Sequence, residues 1–149
     1  MPDPNNIAYK TLLGFDFGMK HIGVAVGQSI THTASPLITL KAKDGIPTWT
    51  EIGSLIEKWK PTALIVGMPL QMDDAKQLMS FAAKRFMNRL YMHFKLPVFE
   101  VDERLSSWEA LDRRNAAGNY AKTREDRNKM HAEAAALLLE QWMRETPTN

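Results

Sequence analysis

Cysteine is absent from this sequence of 149 residues. Its absence excludes disulfide bonds, thiolate nucleophiles and sulfur-ligated zinc or iron–sulfur centres, so any metal ion must be held by oxygen or imidazole ligands. Long hydrophobic runs are absent too, since the longest apolar stretch, residues 134–139, is far too short to cross a bilayer. Residues 1–10 are rich in proline and polar side chains, whereas a signal peptide has a basic start and an apolar run. We therefore expect a cytoplasmic protein that does not bind membranes.

Internal repeats and low-complexity tracts are also missing, which excludes solenoid and fibrous architectures. The composition, 44% hydrophobic and 24% charged, is typical of a globular chain. The length suits one domain. We expect a single domain over residues 1–149, with a core from about 11 to 144 and short flexible ends.

Acidic residues are missing from one long stretch. The net charge is only +2, but residues 75–129 hold 12 Lys or Arg against 7 Asp or Glu. Within them, residues 75–99 contain no acid and these basic residues: Lys76, Lys84, Arg85, Arg89 and Lys95. A face of one charge sign suits a phosphate backbone, although a solvated helix face has the same composition.

The hydrophobic pattern predicts an α/β fold with a five-stranded mixed sheet flanked by helices. Residues 12–17, 22–26 and 34–40 form an antiparallel meander in this prediction. A helix follows, opened by Pro47 and Thr48 and stopped by Pro61. Parallel strands are expected at 62–66 and 97–101, and helices at 75–94, 106–116 and 127–144, with a mobile loop at 117–126. Leu78 is placed on the buried stripe of the helix at 75–94.

Acidic residues occur at two places in these predicted strands. Asp16 lies within the first, strongly apolar strand, where an ionised carboxylate costs several kcal/mol unless it is neutralised. Asp102 and Glu103 follow the fifth strand, and the carboxyl ends of parallel strands meet at one edge. Carboxylates brought together there suit Mg²⁺ or Mn²⁺. The alternatives are that Asp16 caps a turn or pairs with Lys20, and that the later acids cap a helix.

Four segments in one order resemble the YqgF family: residues 13–25, 66–70, 102–107 and the alanine-rich final helix. Members of this family are RNase H-like proteins described as Holliday junction resolvases and as the nuclease that matures the 5′ end of pre-16S ribosomal RNA. The resemblance covers about residues 11–143. It implies a five-stranded RNase H-like sheet and hydrolysis of phosphodiester bonds that depends on Mg²⁺ or Mn²⁺.

The resemblance assigns the first two family acids to Asp16 and Glu103. The third acid does not carry over to this chain, which has His131 where the family usually has Asp at the start of the last helix. Glu133 points about 200° away around that helix, whereas His131 shares a stripe with apolar residues that face the protein body. We therefore predict that His131 occupies the third catalytic and metal-ligand position. A core histidine without catalytic duty is the alternative, and structural roles are expected for His21, His32 and His93.

The resemblance also implies a nucleic-acid substrate, either pre-ribosomal RNA or branched DNA, and ribosomal particles as partners. Lys20 and Arg104 match basic positions of the family motifs and are assigned to phosphate contacts. The wider set of predicted nucleic-acid-binding residues adds the helix cations and a basic pair further along the chain: Lys84, Arg85, Arg89, Arg113 and Arg114. The choice between RNA and DNA, and between a monomer and a homodimer, stays open.

Two other functions compete with a nuclease. A non-catalytic RNA-binding module in ribosome assembly would keep the basic face and would explain the loss of the third carboxylate. An ATP-binding domain of the actin or sugar-kinase type shares the strand-borne pattern at Asp16 and Gly18. That second alternative is disfavoured, because such proteins repeat the fold in two lobes and this length allows one.

Overall fold

The computed structural model describes residues 10–69, 74–103 and 124–146, without the side chains of 69, 74–77, 103 and 124–127. The strands are β1 (Thr11–Asp16), β2 (His21–Gln28), β3 (Thr33–Lys43), β4 (Ile46–Pro47), β5 (Ala63–Pro69) and β6 (Val98–Glu103). The helices are α1 (Trp49–Trp59), α2 (Asp74–Phe94) and α3 (Arg124–Glu145). The predicted helix at 106–116 lies outside the described residues.

The strands form one mixed sheet in the order β4-β3-β2-β1-β5-β6. Strands β1, β2 and β3 pair antiparallel, as the meander predicts, and β5 and β6 continue the sheet in parallel with β1. The predicted α/β class with a mixed sheet is confirmed. The sheet has a sixth strand, β4, whose two residues pair with the end of β3. A strand of two residues is too short to show alternation, so the pattern could not predict it.

Strict alternation along β1 divides the core into two layers. Leu13 and Phe15 face α1 and α2, where the ring of Phe15 packs edge-on against Phe86 with centroids 5.6 Å apart. Leu12 faces α3, together with Ala25 of β2 and Ile65 of β5. Within the described residues, α1 and α2 therefore cover one face of the sheet and α3 covers the other.

Two helix predictions need correction. Leu78 was expected on the buried stripe of α2, but it is 69% exposed. It lies at the border of the apolar arc, so a helical-wheel pattern assigns it weakly. The last helix begins at Arg124 and not at residue 127, so residues 124–126 of the predicted loop are helical. Arg, Glu and Asp are compatible with a first helical turn, and acids there interact favourably with the helix dipole.

Helix α3 lies unusually close to the sheet because glycines face it. A Cβ atom added at Gly23 would overlap the backbone carbonyl of His131. At Gly14 and Gly67 an added Cβ would overlap the side chains of Leu139 and Leu138. These three positions lie on neighbouring strands β2, β1 and β5. The missing side chains allow the helix backbone to lie directly on the middle of the sheet.

Replacing Gly23 with alanine should lower the free energy of unfolding by about 3 kcal/mol or more, because backbone atoms of α3 cannot yield as a flexible side chain can. The matched control is Gly53→Ala in α1, where the nearest atom to an added Cβ is Cε1 of Phe94 at 3.7 Å. That change should stabilise the protein by about 0.5–1 kcal/mol, because alanine is the better helix former. Chemical denaturation measures both. A Gly23→Ala protein as stable as wild type would mean that α3 does not lie on β2.

Candidate active site

The buried carboxylate of Asp16 ends strand β1 and is only 7% exposed. Its register partners are Gly23 on β2 and Gly67 on β5. Burial of this carboxylate is costly unless other groups compensate its charge, and the strand around it is hydrophobic. Asp16 therefore places a carboxyl group at the carboxyl edge of the sheet, where it is largely shielded from water.

Strand β6 ends at the same edge. Val101 pairs with Gly67, which itself pairs with Asp16, and Glu103 pairs with Pro69 two residues further on. This register places the backbone of Glu103 at the edge where β1 and β5 also end. The side chain of Glu103 and all of Arg104 lie outside the described residues. Asp102 is exposed, and its backbone carbonyl accepts a hydrogen bond from Nε2 of Gln141 at 3.0 Å, which attaches α3 to β6.

His131 reaches this edge from α3. Its backbone carbonyl lies against Gly23, the register partner of Asp16. The residues expected on its helical stripe are buried, as predicted: Ala135, Leu138 and Trp142. Glu133 lies elsewhere, in a cleft between α3 and β3 that Ile38 and Lys129 also line. The geometry thus places His131, and not Glu133, beside the end of β1.

The structure adds His21, which the sequence assigned only a structural role. The imidazole rings of His21 and His131 stack with their centroids 5.2 Å apart and their planes 16° from parallel. His21 begins β2 directly after the short turn that follows β1, two residues before Gly23, the register partner of Asp16. The predicted hairpin could have indicated that His21 lies near the end of β1. The long sequence separation between the two histidines hid the pairing with α3.

Burial lowers the pKa of His131 below its ordinary value of 6.5, and the nearby His21 lowers it further. Burial acts by disfavouring the charged imidazolium, and a second imidazole adds like-charge repulsion when both rings are protonated. His131 is consequently neutral at neutral pH. A neutral imidazole keeps one nitrogen lone pair available for a metal ion or a proton.

The predicted basic residues lie on different parts of the protein. Lys20 is exposed in the turn between β1 and β2, next to the site. Lys84 and Arg85 are exposed on α2, across the sheet from α3, and Arg89 is half-buried there. Arg113 and Arg114 fall outside the described residues. The fold therefore brings Lys20 to the site but does not bring the α2 cations to it.

The donor atoms at the edge fit a divalent cation in their chemistry. As predicted ligands, Asp16 would supply carboxylate oxygens and His131 an imidazole nitrogen, a set that Mn²⁺ accepts more readily than Mg²⁺. Among the side chains that the structure describes, no three His, Asp or Glu residues lie close enough together to hold a metal ion. Glu103, the third predicted ligand, is not among those side chains.

No described helix is both long and apolar enough to span a membrane.

Acidification should destabilise the metal-free protein through His131. Its folded pKa is lower than its unfolded pKa, so the unfolded state binds more protons as the pH falls from about 6.5. The free energy of unfolding should decrease across that window and then level off below the folded pKa. Chemical denaturation between pH 7.5 and pH 4.5, roughly the range in which histidines titrate, measures this slope.

The variant His131→Asn, which cannot titrate, should show a shallower slope, while His32→Asn in an exposed turn should not. In proton NMR the His131 pKa should rise in His21→Asn, because the like charge is removed, yet stay below that of a free histidine. An unshifted His131 pKa in the wild type would contradict this electrostatic description.

Comparisons with known proteins assign the family. The family model described as "RuvX: Holliday junction resolvase" matches residues 10–145. A protein of Coxiella burnetii is 48% identical over 145 residues, 97% of each chain. One of Nitrosococcus oceani is 47% identical over 139 residues, 93% of this chain and 90% of the relative. One of Pseudomonas putida is 49% identical over 134 residues, 90% of this chain and 94% of the relative. All three are named as candidate pre-16S rRNA nucleases.

Solved structures share the fold. RuvC of T. thermophilus, in complex with a Holliday junction substrate, superposes with a TM-score of 0.53 at 18% identity, covering 91% of this chain and 96% of RuvC. The yeast mitochondrial Holliday junction resolvase Ydc2 gives a TM-score of 0.54 at 11% identity, over 93% of this chain and 80% of Ydc2. These likenesses confirm the predicted RNase H-like α/β fold. The resemblance noted from the four sequence segments is confirmed as well, and this chain belongs to the RuvX (YqgF) family of Holliday junction resolvases.

Proposed function

We propose that this chain is a divalent-metal-dependent nuclease that hydrolyses a phosphodiester bond in the 5′-end maturation of pre-16S rRNA. The observation that carries the proposal is the buried carboxylate of Asp16 at the edge where β1, β5 and β6 all end. The names of the relatives support the substrate, because three proteins at 47–49% identity are named for that RNA. Cleavage of a Holliday junction is the second candidate, favoured by the description of the family.

In this proposal Asp16, Glu103 and His131 hold Mg²⁺ or Mn²⁺. A divalent cation, when bound, supplies positive charge that acidifies water and offsets the charge developing on the phosphate oxygens. The carboxylate of Asp16 would hold the cation, because Asp16 is buried at the end of β1. Glu103 adds the second negative charge. His131 adds a neutral nitrogen, so the ligand set has one negative charge fewer than three carboxylates would have.

The cations of the chain bind the substrate in this proposal. Lys20 and Arg104 contact the phosphate near the site, and Lys20 is exposed in the turn beside Asp16. The other predicted cations contact the flanking polynucleotide: Lys84, Arg85, Arg89, Arg113 and Arg114. Phosphate contacts of this kind give affinity without sequence preference. Cleavage of a four-way junction would further require two symmetric cuts and hence a homodimer, whereas trimming one RNA end requires only a monomer.

Asp16→Asn should reduce Mn²⁺-dependent cleavage by more than about 100-fold, beyond what the loss of an outer-shell group costs. Binding of the same RNA should change little, because the cations that contact phosphate remain. The matched control is Asp44→Asn in the exposed turn before β4, where the residue has a φ of 53° that asparagine adopts equally well. Cleavage of a 5′-extended 16S precursor and of a DNA junction, with and without Mn²⁺, measures both activities. Equal, metal-insensitive behaviour of wild type and Asp16→Asn would favour the non-catalytic RNA-binding module.

His131→Asp should raise activity with Mg²⁺ relative to Mn²⁺ by about 10-fold, because a carboxylate restores a charged oxygen ligand that Mg²⁺ prefers. Calorimetric titration of each metal into the protein gives the same comparison without catalysis. His32→Asp adds the same charge at an exposed turn with a left-handed backbone and should leave the ratio unchanged. An unchanged metal preference in His131→Asp would count against coordination by residue 131.

A further inference from the structure

The outward face of α2 exposes large apolar side chains that do not pack into either hydrophobic core of the described residues. Phe81 is 60% exposed and Tyr91 is 45% exposed. Leu78 and Met92 on the same face are 69% and 67% exposed. The opposite side of the helix is buried against the sheet through Phe86 and Leu90. Large apolar groups so exposed on a folded surface indicate a binding function.

Positive charge is interleaved with these rings. Lys84 and Arg85 are exposed between Phe81 and Tyr91, and residues 75–99 contain no acid. Lys95 ends the helix with a φ of 56°, which directs it back so that its Nζ lies 5.3 Å from the centroid of the Tyr91 ring. A cation over one ring face stabilises that aromatic arrangement. We call Phe81, Lys84, Arg85, Tyr91 and Lys95 the aromatic–basic face.

A shallow groove runs beside this face, between α2 and the edge strand β6. Met87, Asn88, Tyr91 and Val98 line one part of it, with a volume of about 300 Å³. The groove continues past Lys84 to Glu100 on the far wall. Because Glu100 is acidic, anionic groups are favoured on the α2 side, where the cations lie. The groove is thus lined by the apolar side chains of Met87 and Val98, and by the amide of Asn88 and the exposed ring of Tyr91.

The aromatic–basic face runs away from the candidate active site. Helix α2 starts five residues after β5 ends at the carboxyl edge, and it leads into β6, whose Val98 pairs with Leu64 near the opposite edge. From Leu78 to Met92 the helix rises about 21 Å at 1.5 Å per residue. A polynucleotide leaving the active site can therefore follow the helix for several nucleotides.

We propose that the aromatic–basic face binds a single-stranded segment of the substrate polynucleotide, with bases stacked on Phe81 and Tyr91 and phosphates on Lys84, Arg85 and Lys95. This inference rests on the proposed function for the identity of the substrate. Exposed rings between cations are the arrangement by which proteins hold single strands without sequence preference. A duplex does not fit as well, because its bases are stacked on one another and present no free faces. Aromatic residues and arginine are also common in protein interfaces, but lysine is depleted there, so the exposed Lys84 and Lys95 favour a polynucleotide over a protein partner.

The test uses Asp16→Asn protein, so that binding is measured without cleavage. Fluorescence anisotropy would compare a single-stranded RNA of about ten nucleotides, the DNA of the same sequence and an RNA duplex. Phe81→Leu and Tyr91→Leu should each weaken single-strand binding about five-fold or more, since stacking contributes about 1 kcal/mol or more per base. RNA and DNA single strands should be affected alike, because stacking does not read the 2′-hydroxyl. Duplex binding should change by less than two-fold.

Three matched sets of variants define the mechanism. Phe81→Trp keeps an aromatic ring and should retain affinity, whereas leucine keeps bulk without a ring. Leu78→Ala and Met92→Ala remove neighbouring apolar groups and should leave single-strand affinity unchanged. Lys84→Ala and Arg85→Ala should weaken binding to single strands and reduce the salt slope by about 0.7 for each phosphate that is no longer neutralised. Because every altered side chain except half-exposed Tyr91 is mostly exposed, circular dichroism should show unchanged folding.

Leucine variants that bind single strands as tightly as wild type would overturn the proposal. An equal loss of duplex affinity would also overturn it, because the rings would then contact the sugar–phosphate backbone and not the bases. Self-association of wild type that Leu78→Ala and Met92→Ala abolish, with single-strand affinity intact in the leucine variants, would identify the face as a protein interface. The outcome is separable from the proposed function: wild type that fails to cleave any substrate contradicts the nuclease, whereas the binding pattern in Asp16→Asn decides this face alone.

Discussion

The close contact between helix α3 and the glycines of the sheet determines the geometry of the candidate active site. The backbone of His131 packs on Gly23, and the side chains of Leu139 and Leu138 pack on Gly14 and Gly67. A side chain at any of these positions would push the helix away from the strands or force its residues out of their rotamers. How closely α3, and with it His131, approaches the strands therefore depends on the absence of three Cβ atoms.

This contact also sets the electrostatics of the site. Holding α3 tightly against β2 brings the imidazole of His131 onto that of His21 and partly removes it from water. Both effects disfavour its protonated form. The site thus combines a buried carboxyl group with one imidazole, that of His131, that resists protonation. In the proposed function, a neutral His131 therefore keeps a nitrogen lone pair available to a divalent cation beside Asp16.

The sequence predicted those features that depend on local patterns and missed those that depend on tertiary contacts. Alternation and helical spacing were enough for the meander, for β5 and for α1, because burial of one face is encoded every second or every third to fourth residue. The same spacing placed His131 on the inward stripe of α3. It could not show that His21 stacks on His131, because that contact arises only when a strand and a distant helix pack together. It also misplaced Leu78, since a border position is decided by what lies opposite it.

The two faces of the sheet differ in how strongly packing restrains the helices upon them. On the α3 face, glycine and alanine bring backbones together, so few positions there are free to carry new chemistry. On the other face, α2 packs through the bulky rings and aliphatic groups of the larger core, and its outward side meets no other described element. Residues on that outward side contribute little to folding, so binding groups can be placed there without disturbing the site. In the proposed function, this separation would let α2 hold the polynucleotide while the edge beside α3 holds the reactive phosphate.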